Sequence, residues 1–158
     1  MGVSWRWALV LMVFAAFAEE IVFRGMLLRP LLQRYGLQRG IFFTGLIWAA
    51  FHFHGDMRYR YAMGQVMLEL ASRIAICLAM NCVFSWMTLR WNSVIPAGIA
   101  HTVSNVLVVG GINGGIPFVQ QARIVLWAVC ALVLFYHWPI PAGGGELAPA
   151  VANPQPAV

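Results

Sequence analysis

ALVLMVFAAFAEEIVFRGMLLRPLL, residues 8–32, is an apolar run long enough to cross a bilayer, and it carries Glu19, Glu20 and Arg24 in its interior. A charged side chain at the centre of a membrane helix costs roughly 2.5–3.5 kcal/mol even on the mildest insertion scales. Three ionisable groups in one such run mark a functional site, and their partners must come from other segments of the chain.

The rest of the sequence agrees with that solvent. It is 61% hydrophobic and 9% charged over 158 residues, with a mean hydropathy of +0.77. Soluble domains carry about 25% charged residues. So few charges cannot cover a water-facing surface, and the expected class is an integral membrane protein of helices. The net charge of +5 comes from arginine alone, with no lysine. Those arginines lie mostly at the ends of apolar runs, which suits contact with lipid headgroups and argues against nucleic acid as a partner. Cys77, Cys82 and Cys130 all fall in apolar segments without a CxxC spacing, so they read as packing residues. No cleavable signal peptide is evident.

The pattern predicts an all-α fold, a polytopic transmembrane bundle of about five membrane helices. Helices are expected over residues 4–32, 41–54, 63–89, 94–109 and 119–138. Pro30 and Gly36 should break the chain into a turn over 33–40. Residues 55–61 and 110–115 read as loops, and Glu69 and Arg73 as an i,i+4 pair on one helix face. His54 reads as a loop residue. Tyr136, His137 and Trp138 read as an interfacial belt. One domain is expected over 1–138, followed by a disordered Pro/Ala/Gly-rich tail over 139–158. Arg29, Arg34, Arg39 and Arg90 would share one face of the membrane, which the positive-inside rule places in the cytoplasm together with the tail.

The polar groups at membrane depth form a set. Glu20 and Arg24 are i,i+4 and can pair, whereas Glu19 is about 100° round the helix and can point elsewhere. His101 and Asn105 are again i,i+4. At 1.5 Å rise per residue, Glu20 lies about 21 Å from Arg34, His52 about 18 Å from Gly40, and His101 about 14 Å from Asn92. Three helices thus bring polar side chains to similar levels. The sequence has no HExxH and no GxSxG. What remains is a carboxylate and an imidazole that can deprotonate water, beside an imidazole and a carboxamide that can donate to an oxyanion. That set can hydrolyse an amide by direct water attack.

These residues carry a resemblance. Glu19-Glu20-Ile21-Val22-Phe23-Arg24 reads EExxxR, Trp48 to His52 reads as a variant of FxxxH, and His101 to Asn105 reads HxxxN. In this order and spacing the chain resembles the CPBP intramembrane proteases, which include type II CAAX prenyl endopeptidases and bacteriocin-immunity and lysostaphin-resistance-like proteins. The resemblance covers residues 17–109. It implies an endopeptidase in which Glu19 and His52 activate water, Glu20 and Arg24 form a supporting pair, and His101 and Asn105 stabilise the oxyanion. It also implies membrane lipid and a membrane-tethered protein or peptide, such as a CAAX-type prenylated chain, as partners. A bacterial inner membrane is the expected location. Trp48 stands where the pattern has Phe. Family members carry further upstream helices, so the expectation is a minimal member or one completed by N-terminal helices or a partner.

Metal is left open at this stage. Glu19, His52 and His101 are candidate ligands of a catalytic zinc, and a glutamate-driven, metal-free reaction uses the same residues. The alternative to an enzyme is a non-catalytic membrane immunity or interaction protein that keeps the scaffold.

Overall fold

A computed structural model of the chain describes residues 5–60, 66–107 and 117–140. The expected loop over 110–115 and residues 141–158 of the expected tail lie outside the described residues, as do the side chains of His54 and Glu69. The fold is all-helical, with no strand among the described residues.

Helix α1 spans Trp5–Glu20 and runs directly into a π-helical segment, Ile21–Leu27. Helix α2 follows at once as Leu28–Arg60, broken only at Gly36 (φ 77°, ψ 172°). Helix α3 is Val66–Trp91, α4 is Ile95–Leu107 and α5 is Pro117–His137. Two expected boundaries are corrected. The turn expected over 33–40 is present as a reversal at Gly36, where two helical stretches meet, but Pro30 does not interrupt the first of them. A π-turn re-registers the ladder, with the Leu28 N–H reaching Phe23 O. Pro30 follows closely, where its missing N–H costs the ladder little. The second helix also does not stop at His54 but continues to Arg60.

Gly36 takes the left-handed φ that glycine tolerates. It folds α2 back so that Gly40 lies against the backbone of Leu32. A Cβ on Gly40 would stand 2.8 Å from both Leu32 Cα and Leu32 N. Backbone cannot yield as a flexible side chain can, so Gly40→Ala is expected to destabilise the protein by about 1–3 kcal/mol. A fall in the thermal unfolding midpoint in detergent would show it; an unchanged midpoint would contradict this account of the kink.

Helix α3 is the hub. It packs on α2, α4 and α5, while α1 packs on α4. The main core joins Phe23, Trp48, Ile76, Met80, Val83 and Phe84. A buried hydrogen bond joins α3 to α2, Asn81 Nδ2 donating to Ile41 O at 2.7 Å, beside the buried Thr44, whose Oγ1 donates within α2 to Gly40 O at 2.9 Å. Cys77 is buried and Cys82 and Cys130 are half-buried, all within or against this core and none in a disulfide.

Indole hydrogen bonding and aromatic contacts close one end of the bundle. Trp86 Nε1 donates to Trp138 O at 2.7 Å, and Trp86 meets Trp91 edge-on at 5.2 Å. Arg29 Nη2 donates to Asn92 Oδ1 at the α3–α4 turn. These contacts put residues 29, 92 and 138 at one end, consistent with the expected grouping of Arg29 and Arg90 there. Phe14 on α1 and Leu132 on α5 are 71% and 72% exposed. Among the described residues Leu70–Trp91 is long and apolar enough to cross a membrane, and Gln121–His137 is a shorter apolar helix.

Candidate functional site

The polar residues of α1, α2, α4 and the π-segment meet beside α3 in two half-sites that share one wall. The more buried half centres on Glu20. Its Oε1 accepts from Arg24 Nη1 at 2.9 Å and from His101 Nδ1 at 2.8 Å. Glu20 and Arg24 are fully buried and His101 is 3% exposed. The expected Glu20–Arg24 pair is present, and it includes a third member, His101, which the sequence spacing had linked only to Asn105. Glu20 Oε2 and Arg24 Nε and Nη2 make no hydrogen bond among the described residues.

The more open half centres on Glu19. Its Oε2 accepts from the indole N–H of Trp48 at 2.8 Å and faces His52 Nε2 at 3.9 Å. The Glu19 and His52 side chains are 21% and 25% exposed, so this half is the one a substrate can reach. His52 Nδ1 lies 2.9 Å from Trp48 O. A carbonyl only accepts, so Nδ1 carries a proton, and in the Nδ1–H tautomer the ring presents its Nε2 lone pair to Glu19. Two acceptors held 3.9 Å apart are too far for a direct hydrogen bond. A water donating one proton to each would satisfy both.

The shared wall is Trp48, 2% exposed. Its ring meets His52 edge-on at 5.3 Å and His101 edge-on at 5.4 Å. The Arg24 guanidinium lies over its face, 4.2 Å from the centroid. His101 in turn stacks on Phe84 at 5.4 Å, with 30° between the rings. Asn105 sits one turn beyond His101 on α4, half-buried, and makes no hydrogen bond to Glu19, Glu20, His52 or His101.

Both histidines are held as metal ligands often are, with Nδ1 donating to a fixed acceptor and Nε2 left open. The three zinc candidates nevertheless do not close on one point. No group of three His, Cys, Asp or Glu side chains among the described residues is placed to hold a metal ion. Glu19 and His52 face each other, while His101 is committed to Glu20 across the Trp48 ring. The arrangement therefore does not fit a three-ligand zinc site.

The motif alone marks Trp48 as standing where the pattern has Phe and assigns it no role. Two signals could have singled it out. A buried indole N–H needs an acceptor, and Trp48 lies four residues before His52, on the same helix face.

A search of known families matches one of them, described as Rce1-like, type II CAAX prenyl endopeptidase, over residues 2–107. The match spans about two thirds of the chain and contains all three motifs. No curated protein and no solved structure matches the chain.

Proposed function

The chain belongs to the Rce1-like family of type II CAAX prenyl endopeptidases, a family of integral membrane proteases, and from that premise we propose that it is an intramembrane endopeptidase acting on a membrane-tethered peptide. The observation that carries this reading is the facing pair Glu19 Oε2 and His52 Nε2, 3.9 Å apart on the accessible side of Trp48.

In the proposed reaction a water gives one hydrogen bond to each of these atoms. Glu19 takes a proton as the water oxygen bonds to the substrate carbonyl carbon. It then returns that proton to the departing amine as the C–N bond breaks. His52, held as the Nδ1–H tautomer by the Trp48 carbonyl, accepts the water's other hydrogen bond at Nε2 and orients it. His101 and Asn105 on α4 supply the polar side of the pocket where negative charge develops on the carbonyl oxygen. His101 is anchored for this by its Nδ1 contact with the Glu20 carboxylate, which leaves Nε2 free. No step is routed through a metal.

The proposed setting is a polytopic bundle in a bacterial inner membrane. The exposed apolar faces of α1 and α5 then contact lipid, which needs no protein cover. A substrate carrying a lipid at its C-terminal end would enter from that phase, and a prenylated CAAX peptide has this chemistry.

The test is hydrolysis in proteoliposomes of a farnesylated CAAX peptide and of the same peptide without the lipid. Cleavage is expected for the tethered peptide, with kcat/KM at least about tenfold above the untethered one. It is expected to persist after incubation with a zinc chelator. Absence of cleavage of either peptide would overturn the protease reading, and loss of turnover restored by added zinc would overturn the metal-free step.

A further inference from the structure

Trp48 touches Glu19, Arg24, His52 and His101. Its side chain donates to Glu19, its carbonyl accepts from His52, its ring edges both histidines, and its face carries Arg24. We propose that Trp48 is a positioning residue for the Glu19–His52 pair, and that its indole N–H fixes the Glu19 carboxylate in the orientation from which it acts on water. The proposal rests on the protease reading for its kinetic consequence, though not for the contact itself.

The physical case has three parts. Glu19 is the penultimate residue of α1, and at 21% exposure its carboxylate is not held by packing alone. A charge-assisted hydrogen bond of 2.8 Å from a buried donor holds it. The donor itself cannot move, because the indole is 2% exposed and packed against Phe23, Phe84 and both imidazoles. Finally, the guanidinium over the indole face withdraws electron density from the ring and makes its N–H a better donor. Arg24 therefore acts on Glu19 through the indole, which links the buried half-site to the accessible one. Phe, the residue of the FxxxH pattern, fills much of the same space but has no N–H, so this chain holds its carboxylate in a way that pattern does not encode.

Two variants separate positioning from packing. Trp48→Phe removes the N–H together with some volume. Replacing Trp48 with benzothienylalanine exchanges the N–H for sulfur at nearly constant shape. Two readouts apply, one of them independent of turnover. In 15N-labelled protein in detergent micelles, the indole resonance that disappears in Trp48→Phe identifies Trp48. In Glu19→Gln that resonance is expected to shift upfield in the proton dimension, because a neutral amide is a weaker acceptor than a carboxylate. An unmoved resonance would overturn the proposal whether or not the protein is a protease. With the tethered peptide, both Trp48 variants are expected to lose about 10- to 100-fold in kcat with KM nearly unchanged, the scale of one hydrogen bond to a charged group. Wild-type kcat in the benzothienylalanine variant would overturn it while leaving the protease reading in place. If the wild type shows no turnover at all, the protease reading fails and the resonance alone decides the contact.

Discussion

Glu19→Gln is expected to reduce turnover of a tethered peptide by about 1,000-fold or more while leaving the protein folded. A positioned general base contributes about 10²–10⁴ in rate, and in this reaction the same carboxylate also returns the proton to the leaving amine. The amide of Gln keeps the shape and can still accept from Trp48 Nε1, so the local packing has no cause to change. The side chain is partly exposed, and the imidazole it faces, His52, lies beyond direct hydrogen-bond distance at 3.9 Å. The thermal midpoint is therefore expected to stay close to wild type. The measurement is kcat/KM in proteoliposomes together with a melting curve on the same preparation. Unreduced turnover with an unchanged melt would remove Glu19 from the proposed role.

The second large effect falls on the other glutamate and is one of stability. Glu20→Leu would leave the Arg24 guanidinium fully buried with no anion, and would strip His101 of its Nδ1 acceptor. Breaking a buried pair from one side typically costs about 3–5 kcal/mol. Replacing both partners, as Glu20→Leu with Arg24→Met, removes the unpaired charge, and Met can occupy the space between Trp48 and Phe84 now held by the guanidinium. The double variant is expected to recover most of the lost stability, to within about 1–2 kcal/mol of wild type. It is not expected to recover activity, because His101 stays unanchored. Equilibrium unfolding of the two single variants and the double variant measures the coupling. Additive losses would show that the pair is not the structural unit described here.

These two glutamates are adjacent in sequence and differ in surroundings, and the sequence carried part of that difference. The i,i+4 spacing of Glu20 and Arg24 implied their pairing, and the 100° offset implied that Glu19 points elsewhere. Counting residues from the helix ends placed Glu20, His52 and His101 near one depth, and Glu20 and His101 do meet at 2.8 Å. The resemblance paired Glu19 with His52, which do face each other, whereas the partnership of His101 with Glu20 was not legible, because it depends on the order of helices around the bundle. Periodicity reports a face of a helix and not the neighbour it meets. The break at Pro30 was misplaced for a local reason: the propensity rule presumes a regular α-ladder, and here the ladder had already changed pitch. The helix end near His54 was misplaced because Gly and Asp signal a stop that the continuous α2 overrides. The expectation of about five membrane helices was read from total composition; among the described residues one helix, Leu70–Trp91, is long and apolar enough to cross a membrane.

The π-helical segment Ile21–Leu27 lies just beyond the two glutamates. A π-turn is what a helix becomes when one residue is added without breaking it. Everything beyond the insertion is rotated by about one residue's share of a turn, roughly 100°. The bearing of α2 relative to α1, and with it of Trp48 and His52 towards Glu19, therefore depends on backbone pitch, and a substitution that relaxed this segment to a regular α-ladder would rewire the site with every site residue unchanged.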